Sequence, residues 1–188
     1  MARIAVLVAQ EYEDSELLVP VERLTDAGHE VELLGVDTGR ALVGKRGKTR
    51  VQVDAAVADR RPEQYDAMVI PGGHSPAHLR DDPHVINFVK GFAAIGRPIA
   101  AVCHGPQLLI EADVVRGRRM TSSPSVRAEL QGAGAHVVDE EVVEDGAFIT
   151  SRKPEDLEAF SRALLDRLAH REGATDGQAA QSRQTPES

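Results

Sequence analysis

Cysteine, histidine and glycine stand together at one point of this sequence, where chemistry can be expected. Cys103, His104 and Gly105 follow the apolar run 99–102 and precede the apolar segment 107–110. The run is typical of a buried parallel strand, and the segment is typical of a buried helix. A cysteine at the sharp turn between such a strand and helix predicts a nucleophile elbow, whose side chain stands at the carboxyl edge of the sheet.

Cys103 is the only cysteine in the chain. A lone cysteine at the end of a strand is commonly a small buried hydrophobic residue. The His-Gly-Pro that follows favours a functional thiol, because a plain core strand needs neither a bend nor a histidine there. A position at a helix N-terminus would also favour the thiolate, through the partial positive charge at that end. We therefore predict that Cys103 is a nucleophile.

Two other stretches are predicted to reach the same edge of the sheet. They are the acidic loop 11–14 after the first strand and the stretch 71–75, which contains Gly72 and Gly73. Sites on open α/β sheets lie beyond the carboxyl ends of the strands. Backbone N–H groups of the glycine pair and of His104 could stabilise an oxyanion, and a carboxylate from the first loop could share a proton with the sulfur.

The elements that must position these residues alternate between strand and helix. The predicted strands are 3–9, 29–36, 65–71, 99–102, 135–138, 142–144 and 147–150. The predicted helices are 15–27, 82–95, 107–110, 125–131 and a last amphipathic helix opened by Pro154. This order predicts a three-layer α/β/α sandwich around a largely parallel sheet. The stretch 38–54 is expected to form a hairpin with an exposed basic turn, since a phosphate loop would need a Gly-Lys-Ser/Thr spacing that it lacks.

Length and composition limit the classes of protein to which this chain can belong. The 188 residues fit one domain, predicted for 1–169, and the polar stretch 170–188 is predicted to be a disordered tail. A formal net charge of −8 argues against nucleic-acid binding, and the chain has no apolar run long enough for a membrane span. The start of the chain turns acidic too soon for a signal peptide. A single reactive thiol fits a reducing compartment, so a cytoplasmic location is expected.

Four stretches resemble the ThiJ/PfpI superfamily: YDAMVIPGG, GRPIAAVCHGPQLLIEADVVRGR, TSSPSVRAELQGAGAHVVDEEVV and TSRKPEDL. The resemblance is closer to its branch of PfpI-type intracellular proteases and general stress proteins. It implies a flavodoxin-like fold related to class I glutamine amidotransferases, with Cys103 as nucleophile and His104 beside it. It also implies that Glu13 is the acid that hydrogen-bonds the thiol, whereas Glu11 is expected to be a solvated loop acid. Members form dimers through the elbow region, and the PfpI proteases assemble into hexamers, so a homodimer or hexamer is expected.

Two positions depart from the family pattern. The acid that would orient the histidine of a Cys-His-Glu triad is Ala77 here, which leaves His78 or Asp81 as partial replacements. The usual tyrosine of the TSYPS block is Ser123, which predicts a more open and polar pocket with a possible substrate contact. Both changes argue against peptidase activity. A glutamine amidotransferase would need a later His-x-Glu, and the stretch around Pro154 has no histidine.

The remaining histidines are assigned mostly to the surface. His74 follows the glycine pair and could contact substrate. His74 and His78 are four residues apart, but a zinc site needs further ligands, so no metal is predicted. No cofactor is predicted either.

Three functions are consistent with these residues. The first is a stress-related enzyme acting on small reactive carbonyls, as glyoxalase-type members of the superfamily do when they convert methylglyoxal to lactate without glutathione. It is a lyase or hydrolase reaction that needs a thiolate, an acid/base and an oxyanion site, but no third triad acid. The second is a PfpI-like peptidase or amidase. The third is a redox sensor or stress chaperone, in which Cys103 is oxidised to sulfinic acid.

Overall fold

The computed structural model describes the backbone of residues 1–181 and side chains as far as residue 174. The strands are β1 Arg3–Leu7, β2 Glu30–Gly35, β3 Ala41–Val43, β4 Arg50–Gln52, β5 Ala55–Ala56, β6 Ala67–Ile70, β7 Ile99–Val102, β8 Arg119–Met120, β9 His136–Val137, β10 Val143–Asp145 and β11 Phe148–Ser151. The α-helices are α1 Asp14–Asp26, α2 Ser75–Leu79, α3 Pro83–Ala94, α4 Pro106–Glu111, α5 Pro124–Gly132 and α6 Leu157–Gln181. Short 3₁₀ turns cover Val57–Asp59, Pro62–Gln64 and Pro154–Asp156.

The central sheet has seven strands in the order β10-β11-β7-β6-β1-β2-β5. All neighbouring pairs are parallel except β10 with β11. Helices cover both faces, because every crossover between parallel strands must return over the sheet. The predicted α/β sandwich of flavodoxin-like type is therefore confirmed.

The order of the strands sets the position of a crevice. From β1 the chain first adds β2 on one side, then returns to place β6 on the other side. The connections leaving β1 and β6 thus diverge at their carboxyl ends, which opens a crevice between them. The elbow after β7 lies one strand further along the same edge.

Two apolar clusters, one on each face, hold the sheet between its helices. Alternate residues of a strand point to opposite faces, so Ile4 and Val6 of β1 join one cluster while Ala5 and Leu7 join the other. The first cluster includes side chains of α1 and α6, and the second includes side chains of α3, α4 and α5. These fully buried strands explain why the sequence reads as short continuous apolar runs.

Some elements differ from the sequence-based prediction. The stretch 135–138 contains a two-residue strand, β9, which pairs with β8 outside the central sheet. The hairpin predicted in 38–54 is present as the antiparallel pair β3–β4. Helix α6 continues to Gln181, well beyond residue 169, in a stretch predicted to be disordered. It carries no proline there, and Glu172 pairs with the N-terminal ammonium at 2.7 Å. The rest of the predicted tail, 182–188, lies outside the described residues.

Candidate active site

Cys103 occupies the elbow that the sequence predicts. Its φ is 61°, a conformation that is costly for a residue with a Cβ and typical of functional sites. Gly105 makes the turn possible, because a Cβ at this position would overlap the carbonyl oxygen of Ile70 and approach that of Val102 at 3.0 Å. Pro106 then opens α4, where a missing N–H costs nothing.

The acid beside the thiol is Glu16, and not Glu13 as the resemblance implied. Glu16 is fully buried, its Oε1 accepts a hydrogen bond from the backbone N–H of Gly72 at 3.1 Å, and its carboxyl lies close enough to Cys103 to raise the pKa of the thiol. It lies in the first turn of α1, which starts directly above the crevice between β1 and β6. Glu13 does not reach the thiol because it is the residue before the helix, where its extended backbone turns the side chain away.

Glu13 and Asp14 instead fasten the β3–β4 hairpin to the start of α1. Glu13 pairs with the guanidinium of Arg46 at 2.7 Å. Asp14 accepts the backbone N–H of Arg46 at 3.0 Å and the hydroxyl of Thr49 at 2.6 Å. Gly44 is pressed against the Asp14 carboxylate, where no Cβ would fit. The hairpin is therefore a fixed wall beside the site.

Burial sets the protonation of the Glu16–Cys103 pair. Desolvation, with the nearby charge of Glu13, raises the pKa of Glu16 to about 8. Desolvation and the charge of Glu16 raise the pKa of Cys103 to about 12. This differs from the thiolate expected at a helix N-terminus, since α4 begins three residues later and burial dominates. At neutral pH Glu16 carries a proton, and a protonated Glu16 no longer opposes ionisation of the sulfur.

The expected oxyanion donors are only partly in place. The Gly72 N–H is taken by Glu16, so it cannot serve a substrate oxygen. Gly73 has a φ of 75° and lies against the backbone of Tyr12, and its N–H has no acceptor among the described residues. The His104 N–H favours the thiolate by a hydrogen bond to Cys103. The backbone N–H groups of Gly73 and His104 therefore remain the two predicted donors to an oxyanion.

The imidazole of His104 lies between the thiol and a serine. Its Nδ1 is 3.3 Å from the Cys103 sulfur, and its Nε2 is 3.0 Å from the Ser125 hydroxyl. Burial, followed by the positive charges of Lys45 and His74, lowers the pKa of His104. Neither His78 nor Asp81 hydrogen-bonds His104, so neither takes the place of the missing acid.

Ser123 is buried and turned toward the sulfur. Its hydroxyl hydrogen-bonds Cys103, where it lowers the pKa of the thiol, and it lies 3.1 Å from the hydroxyl of Ser125. Its backbone N–H donates to the Cys103 carbonyl at 3.0 Å. The role of Ser123 as a substrate contact stays a prediction, but its hydroxyl is already engaged with the nucleophile.

Glu11 joins the two histidines that follow the glycine pair. Its carboxylate oxygens lie 3.0 Å from His74 Nδ1 and 3.1 Å from His78 Nε2, and these hydrogen bonds lower the pKa of Glu11. The predicted solvated loop acid is thus exposed but paired. Within the part of the chain that the structure describes, no group of three or more acidic, histidine or cysteine side chains is arranged to hold a metal ion.

A strained cysteine at a strand–helix turn, with a buried carboxyl and an imidazole beside its sulfur, has the geometry of a nucleophile elbow. The chain belongs to the DJ-1/PfpI family, whose model matches residues 2–167. It is 43% identical over 164 residues to protein/nucleic acid deglycase 2 of Escherichia coli, covering 87% of this chain and 95% of that protein. It is 45% identical over 168 residues to an uncharacterised protein of Staphylococcus epidermidis, covering 88% and 97%.

Solved structures agree with this assignment. A two-domain protein of Anabaena variabilis, with DJ-1/ThiJ/PfpI-like and ferritin-like domains, superimposes with a TM-score of 0.89 at 40% identity, over 90% of this chain and 48% of that one. Drosophila melanogaster DJ-1β gives a TM-score of 0.83 at 28% identity, over 93% and 94%. No helix among the described residues is long and apolar enough to cross a membrane.

Sequence reasoning missed Glu16 and Ser125. A sign of Glu16 was present, since it lies on the same side of α1 as the buried residues Pro20 and Leu24, where a carboxylate has no structural reason to be. Ser125 had no comparable sign, because its contact with His104 spans 21 positions in sequence.

Proposed function

We propose that this protein is a cofactor-independent enzyme of the deglycase and glyoxalase type, with Cys103 as nucleophile and small reactive carbonyls, such as methylglyoxal, as substrates. The observation that carries the proposal is the position of the buried Glu16 carboxyl, held by the Gly72 N–H, beside the Cys103 thiol. This arrangement supplies an acid/base beside the carbon that the sulfur attacks. The similarity to a protein/nucleic acid deglycase supports the same class of chemistry.

The reaction balances with groups of this chain and water. The thiolate adds to the aldehyde carbon of methylglyoxal, and the new alkoxide takes the proton of Glu16 to give a hemithioacetal, which leaves Glu16 as a carboxylate. Glu16, as carboxylate, removes the proton from that carbon and returns it to the neighbouring carbon through an enediol, which leaves a lactoyl thioester. Water cleaves the thioester, releasing lactate and restoring the thiol. The N–H groups of Gly73 and His104 would stabilise the oxyanions of addition and hydrolysis.

The charge beside the site fits an acidic product. Lys45, on the hairpin wall, lies close enough for its positive charge to lower the pKa of both Glu16 and His104. The Lys45 ammonium makes no ion pair among the described residues. It could therefore attract the carboxylate of lactate, or an acidic group on a glycated substrate.

The peptidase alternative is less well supported. A Cys-His-Glu triad needs a carboxylate on the histidine, and His104 has a serine hydroxyl there instead. The redox-sensor alternative is favoured by one observation: a protonated Glu16 could donate a hydrogen bond to a sulfinate on Cys103. A cytoplasmic location, a role in stress and a homodimer or hexamer remain parts of the proposal.

The test is methylglyoxal consumption and lactate formation by purified wild type and Cys103→Ser, without glutathione. We expect lactate from the wild type alone. A casein or peptide assay on the same samples is expected to show no hydrolysis. If neither protein forms lactate, the proposal is wrong, and titration of Cys103 with hydrogen peroxide would then test the sensor function.

A further inference from the structure

We propose that Ser125 is a positioning residue for His104, and that it acts through a closed ring of hydrogen bonds formed by Cys103, His104, Ser125 and Ser123. The ring prepares the sulfur by giving its proton a defined acceptor. The inference deepens the proposed function, since it rests on Cys103 being the nucleophile.

The geometry of the ring is complete within one chain. Cys103 Sγ lies 3.3 Å from His104 Nδ1, and His104 Nε2 lies 3.0 Å from Ser125 Oγ. Ser125 Oγ lies 3.1 Å from Ser123 Oγ, and the Ser123 hydroxyl hydrogen-bonds the sulfur. Four side chains thus form four successive contacts that return to the starting atom.

One direction of donation satisfies every member. The Cys103 S–H donates to Nδ1, the Nε2–H donates to Ser125, the Ser125 O–H donates to Ser123, and the Ser123 O–H donates to the sulfur. Each group donates once and accepts once, and such chains strengthen one another. The opposite direction would satisfy the same groups, but only this direction, with the proton on Nε2, leaves the Nδ1 lone pair free to take the thiol proton. When the thiol ionises, its proton moves to Nδ1 and the Ser123 hydroxyl stabilises the thiolate.

The backbone holds both serines in place. Ser123 precedes α5 and donates its N–H to the Cys103 carbonyl at 3.0 Å, so the start of α5 is tied to the elbow. Pro124 begins the helix and Ser125 follows in its first turn. The serine hydroxyls therefore face the elbow from a fixed helix start.

The serine partner explains how His104 works without an acid at position 77. A carboxylate partner would stabilise an imidazolium, whereas a neutral hydroxyl orients the ring without adding negative charge. The charged groups facing this cluster are Glu16 from α1, Lys45 from the hairpin and His74 before α2. The positive charges of Lys45 and His74 destabilise a protonated His104. We therefore expect His104 to hold the proton of the thiol only briefly.

The experiment is the rate of Cys103 alkylation by iodoacetamide between pH 5 and 10, a range that lies below the raised pKa of the thiol. It compares wild type with Ser125→Ala and Ser125→Thr. Ser161→Ala is the matched control, because its buried hydroxyl has no hydrogen-bond partner among the described residues. We expect Ser125→Ala to shift the profile upward by about one pH unit, which is about a tenfold slower reaction below the midpoint. Ser125→Thr should restore the wild-type profile, since residue 125 is exposed and has room for a methyl group.

A wild-type profile in Ser125→Ala would overturn the proposal, as would a shift that Ser125→Thr does not reverse. Thermal melting of each variant shows whether a changed alkylation profile comes from lost positioning of His104 or from loss of the folded state. Alkylation requires no turnover, so the two proposals can fail separately. A shifted profile in a protein that forms no lactate would reject the proposed function alone, and an unshifted profile in an active enzyme would reject the ring alone.

Discussion

Glu16 accepts the backbone N–H of Gly72 at 3.1 Å, so the buried acid of α1 is anchored to the loop that follows β6. The contact spans the crevice between β1 and β6 and requires a glycine, because a Cβ at residue 72 would overlap the Glu16 carboxylate. One carboxyl oxygen is thereby fixed, and the other, Oε2, is buried without a partner in the hydrogen-bond network of the described residues. Oε2 is the oxygen that can carry a proton to and from a substrate.

Replacing Glu16 by Gln should separate thiol reactivity from turnover. Glutamine can keep the hydrogen bond from Gly72 and can donate to the sulfur, but it cannot transfer a proton. We expect lactate formation to fall by about 100-fold or more, as for loss of a general acid/base, while alkylation of Cys103 changes little.

Glu13→Gln is the matched control for that substitution. It removes the ion pair between the buried carboxylate of Glu13 and the exposed guanidinium of Arg46, and it leaves Glu16 and Cys103 unchanged. Turnover should therefore stay within about fivefold of wild type. Loss of turnover in Glu13→Gln with normal turnover in Glu16→Gln would restore the assignment that the family resemblance implied.

The raised pKa of Glu16 predicts how stability depends on pH. A glutamate in an unfolded chain has a pKa of 4.5, whereas the pKa of Glu16 in the folded protein is about 8. Between these values the folded state holds more protons than the unfolded state, so the free energy of unfolding falls as pH rises. The contribution is fully present below about pH 4.5 and is lost by about pH 8.

Urea denaturation of wild type and Glu16→Gln at pH 5 and pH 8 would measure this effect. The variant should gain stability relative to wild type as pH rises, by an amount of the order of a few kcal/mol. Equal pH dependence in the two proteins would mean that Glu16 is ionised in the folded state at neutral pH.

Gly105→Ala should destabilise the elbow. The new Cβ would overlap the Ile70 carbonyl oxygen, and backbone atoms of neighbouring strands cannot move aside cheaply. We expect a loss of about 3 kcal/mol, measured by urea denaturation. Gly132→Ala in α5 is the control, because a Cβ there meets nothing within 4 Å, and it should stabilise by about 0.5–1 kcal/mol. Similar effects of the two substitutions would contradict the close packing of the elbow.

Asp14→Ala should detach the β3–β4 hairpin from the start of α1. Burial opposes the charge of Asp14, but hydrogen bonds from Thr49 and the Arg46 N–H outweigh burial and lower its pKa. Its stabilisation is therefore present above the unfolded pKa of about 3.8 and is lost as pH falls. Removing both hydrogen bonds should cost about 2–4 kcal/mol at pH 7. It should also raise KM for methylglyoxal, because the hairpin that forms the wall beside the site is no longer held to α1.

Asp59→Ala is the control for this substitution, since the Asp59 side chain is exposed and makes no ion pair or hydrogen bond among the described residues. Chemical denaturation and steady-state kinetics of both variants would check the prediction. A normal KM in a destabilised Asp14→Ala protein would show that the hairpin does not shape the site.

The local pattern of the sequence determined the fold class and the position of Cys103. Short continuous apolar runs are typical of buried parallel strands, and this pattern placed β1, β6 and β7. The Cys-His-Gly turn after such a run placed Cys103 at the sheet edge for the same reason. These features depend on neighbours in sequence, which is why they could be predicted.

Tertiary structure alone decided which groups meet the sulfur. Glu13 and Glu16 are both acids near the end of the first loop, and only the start and direction of α1 bring Glu16 to Cys103 and turn Glu13 to Arg46. The contact of Ser125 with His104 likewise depends on how the start of α5 docks on the elbow. Both acids are buried, but Glu13 precedes the helix with an extended backbone whereas Glu16 lies in its first turn, so the point at which α1 begins decides which acid faces the thiol.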